Sequence, residues 1–450
     1  MQRCHKRRVK IDMTYSECEE YILNIPRFTA KNDLTTVRAA LEELLKGRTL
    51  PPIIHVAGTN GKGSVCSYIS NILISSGLKV GLFTSPHLEK MTERIMINGD
   101  QISEDAFVGA CMQVRETLGD RYSPTFFEFV FLMAMIAFAE AGPDYIVLET
   151  GLGGRLDATN CLEHTRLCVI TEIGMDHMQY LGNTYAEIAA EKAGIIKKNS
   201  KVVFFNKREE ASNVIRRRCG ELSATYYEVL KEQIGDITKC ELACGGRSMQ
   251  GISYYLLKNA AGDEAFAKRP IEIAGPALYQ TENSAIAING VLMLEDSRIS
   301  ETAIRRGICN TRWPGRMEEL AKGVFADGAH NIDGVEAMLQ TVAEMPGEKT
   351  LLFAVVSDKQ YREMIHLIVE KAIYDNVVIT KAGDDRATDV AMIRGIFEEE
   401  CKKLKVAPPK LFEAANVSEA IERADSIRGD GIVVISGSLY LVGDARQHYH

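Results

Sequence analysis

The sequence has no apolar run long enough to span a lipid bilayer. Its longest apolar stretch, Phe129 to Ala139, has about half the length that a transmembrane helix needs, so we interpret it as a buried helix. The basic N-terminus is not followed by an apolar signal core, which argues against a secretory signal. These absences predict a cytoplasmic protein without membrane contact. We expect residues 1–12 to form a disordered extension, with Met13 as an alternative start.

The chain also lacks a Cys-X-X-Cys pair and a surplus of basic residues. Its 11 cysteines are scattered and odd in number, which is typical of reduced thiols rather than of a disulfide framework or a zinc site. The net charge of −8 argues against a nucleic-acid-binding protein, because such proteins need a basic face. The 450 residues, with 46% hydrophobic side chains, are sufficient for two or three globular domains.

The stretch from Pro51 to Ser64, PPIIHVAGTNGKGS, predicts a strand, a glycine-rich turn and the start of a helix. Such a turn lets backbone N–H groups converge on an anion, and the helix N-terminus adds partial positive charge. Lys62 would supply a full charge for the outer phosphates of a nucleotide. The stretch departs from the standard phosphate loop, because Val56 and Gly63 stand where that pattern has a glycine and a hydroxyl residue. We predict phosphate binding, with an accidental Gly-Lys turn as the alternative.

Polar residues follow two further predicted strands. Tyr145–Leu148 is a continuous apolar run followed by Glu149, and Leu167–Ile173 is followed closely by Asp176 and His177. Ligands of open α/β sheets bind at the carboxyl ends of parallel strands. A carboxylate such as Glu149 is costly to bury without a cation or hydrogen-bond donors. The sequence therefore predicts one crevice that collects these groups and the glycine-rich turn.

The alternation of strands and helices predicts an α/β protein with two domains. Residues 1–297 would form a domain with a mainly parallel sheet. Residues 298–450 would form a second, smaller α/β domain. The polar segment Asp296–Ser300 marks the predicted boundary.

Nine motifs follow one another along the chain. They are HVAGTNGKGS (His55–Ser64), TSPHL (Thr84–Leu88), FFEF (Phe126–Phe129), LETGLGGRLDATN (Leu148–Asn160), GMDHMQYLG (Gly174–Gly182), EKAGIIK (Glu191–Lys197), WPGRMEEL (Trp313–Leu320), DGAHN (Asp327–Asn331) and SGSLYLVGDAR (Ser436–Arg446). In this order they resemble the folylpolyglutamate synthase/dihydrofolate synthase family of the Mur ligase superfamily. The resemblance covers roughly Met13 to Arg446, and the agreement of nine motifs makes it specific.

The resemblance implies an ATP-dependent ligase that adds L-glutamate to a reduced folate, and also to dihydropteroate, through an acyl phosphate. It implies a first domain of the phosphate-loop type and a Rossmann-like second domain, which close around ATP at a hinge near Asp296–Ser300. It also implies two Mg²⁺ sites, a monovalent cation and a monomer. The catalytic residues would be Lys62, Glu149, His177 and Lys192. The ATP contacts would be Thr59, Asn60, Gly61, Lys62, Gly63, Ser64, Asn283, Arg316, Asp327 and His330. The magnesium ligands would be Ser85, Glu149, His177 and Lys192 as a carbamate, and the folate contacts would be Phe28, Thr125, Phe126, Leu156, Asp157 and Ala158.

Plainer interpretations of these residues stay open. Glu149 could form a salt bridge with Arg155, and His177 could be a hydrogen-bonded turn histidine. Ser85 could form a local turn. Lys192 could be a solvated helix lysine, since a carbamate needs a neutral amine and hence burial or cationic neighbours.

The second domain and the activity itself also allow more than one interpretation. In DGAHN, Asp327 and Asn331 could simply cap a helix, and Phe126 of the first domain could belong to the core. Three places depart from the family pattern: Tyr279 stands in place of a histidine, Gln360 stands in place of an aspartate, and the stretch from Thr380 to Gly383 lacks the usual arginine-rich sequence. Besides folate ligation, the chain could be a Mur-type ligase for another acid and amino acid, or an ATP-binding protein without turnover.

Overall fold

The computed structural model describes residues 13–27, 33–119, 121–244, 247–383 and 386–450. The predicted N-terminal extension, residues 1–12, lies outside the described residues. None of the helices in these ranges is both long enough and apolar enough to cross a membrane. The apolar run that begins at Phe129 lies inside helix Phe126–Ala141, which is almost entirely buried, as predicted.

The first domain is built on an eight-stranded sheet with helices packed against it. Its strands are β1 (Ile53–Ala57), β2 (Val80–Phe83), β3 (Ile95–Ile97), β4 (Asp100–Gln101), β5 (Tyr145–Glu149), β6 (Thr165–Ile170), β7 (Lys201–Asn206) and β8 (Thr225–Leu230). Its helices are α1 (Tyr15–Leu23), α2 (Thr35–Leu45), α3 (Lys62–Ser75), α4 (Glu104–Leu118), α5 (Phe126–Ala141), α6 (Met178–Leu181), α7 (Tyr185–Ala193), α8 (Glu209–Glu221), α9 (Ala265–Lys268), α10 (Gln280–Met293) and α11 (Glu301–Asn310). A three-stranded antiparallel sheet is added by β9 (Thr238–Cys244), β10 (Arg247–Tyr254) and β11 (Ile271–Ala274).

The strand order of the main sheet is β4-β3-β2-β5-β1-β6-β7-β8. All neighbours from β2 to β8 pair in parallel, whereas β3 and β4 form an antiparallel hairpin at one edge, with Asn98 and Gly99 in its turn. Because β1, β5 and β6 are adjacent and parallel, their carboxyl ends meet at one place. This confirms the predicted convergence of the glycine-rich turn, Glu149 and the segment after β6.

The second domain has a six-stranded sheet in the order β12-β13-β17-β14-β15-β16. Its strands are β12 (Arg316–Ala321), β13 (Val324–Asp327), β14 (Lys349–Phe353), β15 (Asn376–Ile379), β16 (Lys410–Glu413) and β17 (Ile432–Ser436). Its helices are α12 (Ile332–Ala343), α13 (Tyr361–Lys371), α14 (Val390–Leu404), α15 (Val417–Ile427) and α16 (Leu439–Tyr449). Only β12 runs antiparallel to its neighbour among these described strands, so the α/β prediction is confirmed here too.

The segment predicted as a hinge is held by the first domain. Asp296 accepts a hydrogen bond from the Tyr145 hydroxyl at 2.9 Å, and Arg298 pairs with Asp144 at 3.0 Å. The following helix, α11, touches the backbone of α3 so closely that a Cβ at Gly307 would lie 2.5 Å from a Cα atom. These contacts favour a hinge after α11 rather than at residues 296–300. The predicted start of the second domain at residue 298 stays a prediction.

Candidate active site

Two glycines shape the turn between β1 and α3. Gly58 has φ +156°, and a Cβ there would lie 1.8 Å from the Thr171 hydroxyl oxygen. Gly61 has φ +82°, a left-handed conformation, and a Cβ there would lie 2.2 Å from Asn283 Oδ1. The turn therefore fits closely between the end of β6 and helix α10, which places the predicted ATP contact Asn283 directly on it.

Side-chain hydrogen bonds fix the same turn from within. Thr59 Oγ1 accepts from the Gly174 N–H at 2.9 Å and donates to the Gly174 carbonyl at 3.0 Å. The Thr171 hydroxyl donates to the Asn60 carbonyl at 2.6 Å. Lys62 Nζ donates to the Thr59 carbonyl at 3.1 Å, so its ammonium group curls back over the turn. The first N–H groups of α3 have no partner within the helix, which leaves them available to an anion.

A tryptophan that sequence reasoning did not assign lies over the turn. Trp313 is the only tryptophan of the chain, and a Cβ at Gly63 would lie 2.9 Å from its ring. It belongs to the segment that joins α11 to β12. Ser64 is buried beneath and accepts a hydrogen bond from Gln280 Nε2 at 3.2 Å. The position of Trp313 in the WPGR motif was the available signal, but only the fold shows that it contacts the turn.

Glu149 lies at the end of β5 with 3% of its surface exposed. Its Oε2 atom accepts a hydrogen bond from the Ser85 N–H at 2.8 Å. Burial raises the pKa of this carboxyl group, and the charges of Lys62, Arg316 and Arg94 oppose that effect. The alternative of a salt bridge with Arg155 is wrong, because Arg155 pairs with Glu191 at 2.9 Å. Glu149 is therefore a buried carboxylate among cations.

The segment after β6 supplies His177 and Asp176. His177 has φ +52°, and burial is the main effect that lowers the pKa of its imidazole to about 4, so the ring is neutral at pH 7. Asp176 Oδ1 lies 3.0 Å from Lys359 Nζ, in the second domain. Burial raises the pKa of Asp176, but Lys359, His177, His330 and the hydrogen bond from Asn331 together outweigh burial and leave the pKa below its usual value. A neutral imidazole can ligate a metal, whereas Asp176 anchors the other domain.

Lys192 lies on α7 with 3% of its surface exposed. Its Nζ donates a hydrogen bond to the Gly58 carbonyl at 2.6 Å. Burial, assisted by the charge of Lys62, lowers the pKa of Lys192 to about 7. The alternative of a solvated helix lysine is therefore wrong. Lys192 reaches the phosphate turn from beneath and can be neutral at physiological pH.

In the second domain, Asp327 ends β13 and is hydrogen-bonded on several sides. It accepts from the Tyr279 hydroxyl at 2.5 Å, from the Met317 N–H at 3.0 Å and from the Ala329 N–H at 2.9 Å. Burial raises its pKa, and the charge of Arg316 opposes that effect most strongly. The capping alternative is correct only for Asn331, whose Oδ1 accepts from the Gly334 N–H and caps α12. Asp327 instead holds its own turn and links it to Tyr279.

Contacts between the domains bring the DGAHN motif against the phosphate turn. Asn331 Nδ2 donates to Asn60 Oδ1 at 3.0 Å and to Asp176 Oδ2 at 3.1 Å. His330 Nδ1 lies 2.7 Å from the Gly328 carbonyl, and its Nε2 lies 3.9 Å from Asp176 Oδ2. Burial lowers the pKa of His330 to about 4. The predicted ATP contacts of the second domain therefore face the turn of the first.

A second pair of contacts secures the same interface. Asp333 accepts a hydrogen bond from the Met175 N–H at 3.2 Å and pairs with Arg208 at 2.6 Å. The Arg208 guanidinium lies 4.3 Å from the centre of the Tyr185 ring. Sequence reasoning missed Asp333, Arg208 and Lys359, because nothing local signals a partner that lies in the other domain.

The predicted folate contacts occupy different environments. Thr125 caps α5, where its hydroxyl accepts from the Glu128 N–H at 3.3 Å, and the Phe126 ring lies 5.1 Å from the Arg94 guanidinium. Asp157 is buried and accepts from the Leu152 N–H at 2.9 Å, so it holds its own loop, where Leu156 is exposed and Ala158 is buried. Phe28 lies outside the described residues. Their contact with folate stays a prediction.

The donor set near Glu149 fits a magnesium ion that is shared with phosphate. In the part of the chain that the structure describes, no three His, Cys, Asp or Glu side chains form a metal-binding group on their own. Mg²⁺, however, commonly takes one or two carboxylates and completes its coordination with water and substrate phosphates. Glu149 is a buried carboxylate that contacts the Ser85 N–H at 2.8 Å, and His177 is a neutral imidazole in the segment after β6, so donors of the required types follow neighbouring parts of the sheet.

Comparison with known proteins agrees with this geometry. The Mur ligase middle domain matches residues 56–239, and the Mur ligase glutamate ligase domain matches residues 315–439. The Bacillus subtilis dihydrofolate synthase/folylpolyglutamate synthase is 32% identical over 447 residues, which cover 96% of this chain and 98% of that protein.

Two solved structures share the whole architecture. Mycobacterium tuberculosis folylpolyglutamate synthase complexed with ADP has a TM-score of 0.84 at 27% identity, and the match covers 97% of this chain and 98% of that one. Escherichia coli FolC in complex with DHPP and ADP has a TM-score of 0.80 at 25% identity, with 98% of both chains covered. The similarity thus extends over both domains and the crevice between them.

Proposed function

Because this chain belongs to the folylpolyglutamate synthase/dihydrofolate synthase family, we propose that it adds L-glutamate to a reduced folate with ATP, and that it also accepts dihydropteroate. One observation carries the proposal to these residues. The phosphate turn, which Lys192 Nζ contacts at the Gly58 carbonyl, meets the second domain through the hydrogen bond of 3.0 Å from Asn331 Nδ2 to Asn60 Oδ1. A site at which two domains meet suits a reaction that must exclude water from an activated acid.

The residues divide the chemistry among themselves. The N–H groups at the start of α3 and the Lys62 ammonium would hold the β- and γ-phosphates of ATP. Arg316 and His330 would contact the nucleotide from the second domain. A carboxylate oxygen of the folate attacks the γ-phosphorus, the bond to ADP breaks, and an acyl phosphate forms. The glutamate amine then attacks the acyl carbon, phosphate leaves, and the amine loses a proton to give the amide.

Magnesium would be held by Glu149, Ser85 and His177, and it would neutralise charge that develops on the transferred phosphoryl group. Lys192 as a carbamate would supply an anionic ligand for a second magnesium, since its low pKa leaves the neutral amine that CO₂ requires. A monovalent cation would complete the site. We further propose that the enzyme is a cytoplasmic monomer.

The activity is tested with ATP, magnesium and radiolabelled glutamate, and tetrahydrofolate and dihydropteroate are compared as acceptors. We expect labelled product with both. Product with tetrahydrofolate alone would restrict the enzyme to folate elongation, and product with neither would overturn the proposal. ATP binding without glutamate-dependent phosphate release would indicate an ATP-binding protein without turnover.

Lys62→Ala tests the phosphate contact directly. We expect a loss of ADP formation of at least about a hundredfold, because the charge that offsets the outer phosphates is removed. Trp313 lies on the turn, so its fluorescence should report nucleotide binding in both proteins. The control is Lys79→Ala, since Lys79 is exposed and its Nζ donates to the Ala141 carbonyl far from the turn. Near-normal turnover of the Lys62 variant would exclude the assigned role.

A further inference from the structure

Arg94 is a buried cation that forms no ion pair with any residue that the structure describes. It ends a short 3₁₀ turn, Met91–Arg94, and only 7% of its surface is exposed. Its Nε donates to His87 Nδ1 at 2.8 Å, and its guanidinium carbon lies 5.1 Å from the centre of the Phe126 ring. No described residue accepts a hydrogen bond from its two terminal amino groups or forms an ion pair with it. A buried guanidinium in this state calls for an anion from outside the chain.

The surroundings of Arg94 carry an excess of positive charge. Burial is the largest effect on its pKa, lowering it to about 10, so the group stays charged at pH 7. Glu149 provides the strongest opposing charge, while Arg27 adds a second cation that acts on both Arg94 and His87. Glu149 is itself influenced by Lys62 and Arg316. Three cations thus act on Glu149, and Arg27 adds a fourth beside Arg94. The other carboxylate that acts on Arg94, that of Glu93, already accepts hydrogen bonds from the N–H groups of Leu88, Glu89 and Lys90, so a further anion would balance the remaining positive charge.

The position of Arg94 indicates which anion this is. The Thr84 N–H donates to the Arg94 carbonyl at 3.1 Å, and the N–H of the next residue, Ser85, donates to Glu149 Oε2 at 2.8 Å. Arg94 therefore lies beside the loop that contacts Glu149, and its guanidinium lies against the Phe126 ring at the start of α5. An acidic group attached to a flat aromatic body would match the cation and the aromatic ring together.

We propose that the Arg94 guanidinium binds the carboxylate of the acceptor substrate that becomes phosphorylated, and that His87 is its positioning residue. This inference rests on the proposed function. The two terminal amino groups match a carboxylate in a bidentate arrangement. When one carboxylate oxygen attacks the γ-phosphorus, the other oxygen stays on Arg94. It remains there while the amine adds to the acyl carbon, where negative charge develops on that same oxygen. His87 accepts from Nε, and so fixes the plane of the guanidinium while the two terminal amino groups stay available to the substrate.

The test compares Arg94→Met, Arg94→Lys and wild type for two ligands in the presence of ADP, which are dihydropteroate and its primary carboxamide. Binding is followed by calorimetry. We expect wild type to prefer the acid by about 10- to 100-fold, as charge-assisted hydrogen bonds of 1.5–3 kcal/mol imply. The methionine variant should bind both ligands alike, and the lysine variant should retain part of the preference. If Arg94 had a purely structural role, its substitution would lower the affinity for the acid and for the carboxamide equally. An unchanged ratio of these two affinities would overturn the inference.

Two further variants separate positioning from binding. His87→Leu removes the acceptor for Nε and should lower the acid preference by several fold, whereas His87→Asn keeps an acceptor near the same place and should preserve it. The matched control is Arg115→Met, because the Arg115 guanidinium also lies 5.1 Å from an aromatic ring, that of Tyr21, on the opposite side of this domain's helices. If the ratio of acid affinity to carboxamide affinity were unchanged in both His87 variants, the positioning role of His87 would be refuted.

The outcomes distinguish this inference from the proposed function. If wild type adds glutamate to an acceptor and Arg94→Met retains the acid preference, only the role of Arg94 fails. If wild type adds glutamate to neither acceptor, the proposed function fails. If Arg94→Met loses nucleotide binding, as seen by Trp313 fluorescence, while its acid preference persists, the guanidinium serves ATP instead and the inference is wrong.

Discussion

Two buried carboxylates, Glu149 and Asp327, end a strand in each domain, and their environments differ. Both are nearly inaccessible, with 3% and 2% of their surfaces exposed, and burial raises the pKa of both. Asp327 accepts three hydrogen bonds from the protein, from Tyr279, Met317 and Ala329. Glu149 accepts one, from the Ser85 N–H. The protein completes the hydrogen bonding of Asp327 but leaves Glu149 available to a ligand.

The contrast shows that burial alone does not identify a functional carboxylate. A group whose hydrogen bonds are provided by the chain stabilises the turn in which it lies. A buried carboxylate that has cations nearby but few hydrogen-bond donors lowers the stability of the folded protein. The binding of a metal or a substrate offsets this loss. On this reasoning we propose that Asp327 stabilises the turn after β13, and that Glu149 participates in the reaction.

The largest expected effect is that of Glu149→Gln on activity. The substitution removes the charge that would hold magnesium, and we expect turnover to fall by at least about a thousandfold. Because burial raises the pKa of Glu149, the charged carboxylate is less favourable in the folded than in the unfolded protein, so the neutral amide should leave thermal stability unchanged or higher. Calorimetry and a phosphate-release assay measure both quantities.

Asp327→Asn is the matched substitution, and its expected pattern is the opposite. The amide cannot accept from three donors, and its own N–H group opposes one of them, so we expect a loss of about 1–3 kcal/mol in the free energy of unfolding. Activity should fall less than in the Glu149 variant. The proposed difference between the two carboxylates would be wrong if the Glu149 variant were the less stable of the two, or if both variants lost activity equally.

A carbamate on Lys192 would give the first domain a second anionic group, besides Glu149, whose coordination a bound ligand completes. Lys192→Ala should lose about a hundredfold or more in turnover and recover part of it with acetate or formate, which could replace the carbamate oxygens. With ¹³C-labelled bicarbonate, wild type at pH 8 should show a carbamate signal by NMR that the variant lacks. The control is Lys197→Ala, because Lys197 Nζ donates to the Asn160 carbonyl at 3.2 Å, away from the turn.

The pH dependence of that signal follows from the pKa of Lys192, which is lowered to about 7. Only the neutral amine reacts with CO₂. At pH 8 about nine-tenths of the amines would be neutral, and at pH 6 about one-tenth would be. Signal and turnover should therefore both decline as the pH falls below 7. A wild-type protein that never shows the signal, or a fully active alanine variant, would make this lysine incidental.

The parts that could be predicted from sequence are those set by local pattern. The crevice could be predicted from the apolar runs of β5 and β6 and from the polar residues that follow them. Parallel strands end at the same edge of a sheet, so these polar residues must lie close together. The capping box of α7 at Thr184 was equally readable. The long segment from Asn206 to Ser248 carried little signal, although it holds α8, β8 and β9, since an added antiparallel sheet depends on its partners.

The parts that could not be predicted are contacts between distant residues. Lys192 and Gly58 are 134 positions apart, and nothing near Lys192 reveals that its ammonium group is buried beneath the phosphate turn. Asp333 and Arg208 are 125 positions apart and lie in different domains. The plainer interpretations of Glu149 and Lys192 were local ones, an ion pair and a solvated lysine, and the tertiary packing excludes both.

The smallest expected effect is that of Tyr279→Phe, which sharpens the comparison by removing one of the three donors to Asp327. The hydroxyl lies 2.5 Å from Asp327 Oδ2, and the phenyl ring would keep its packing. We expect a loss of about 1 kcal/mol in stability, the worth of one hydrogen bond, with turnover within about threefold of wild type. Thermal unfolding gives the loss of stability, and phosphate release gives the turnover.

In a double variant with Asp327→Asn, the two losses of stability should not add, because both substitutions remove the same hydrogen bond. Full additivity would mean that the tyrosine acts elsewhere, and a large drop in turnover would mean that Asp327 needs this donor for chemistry rather than for its turn.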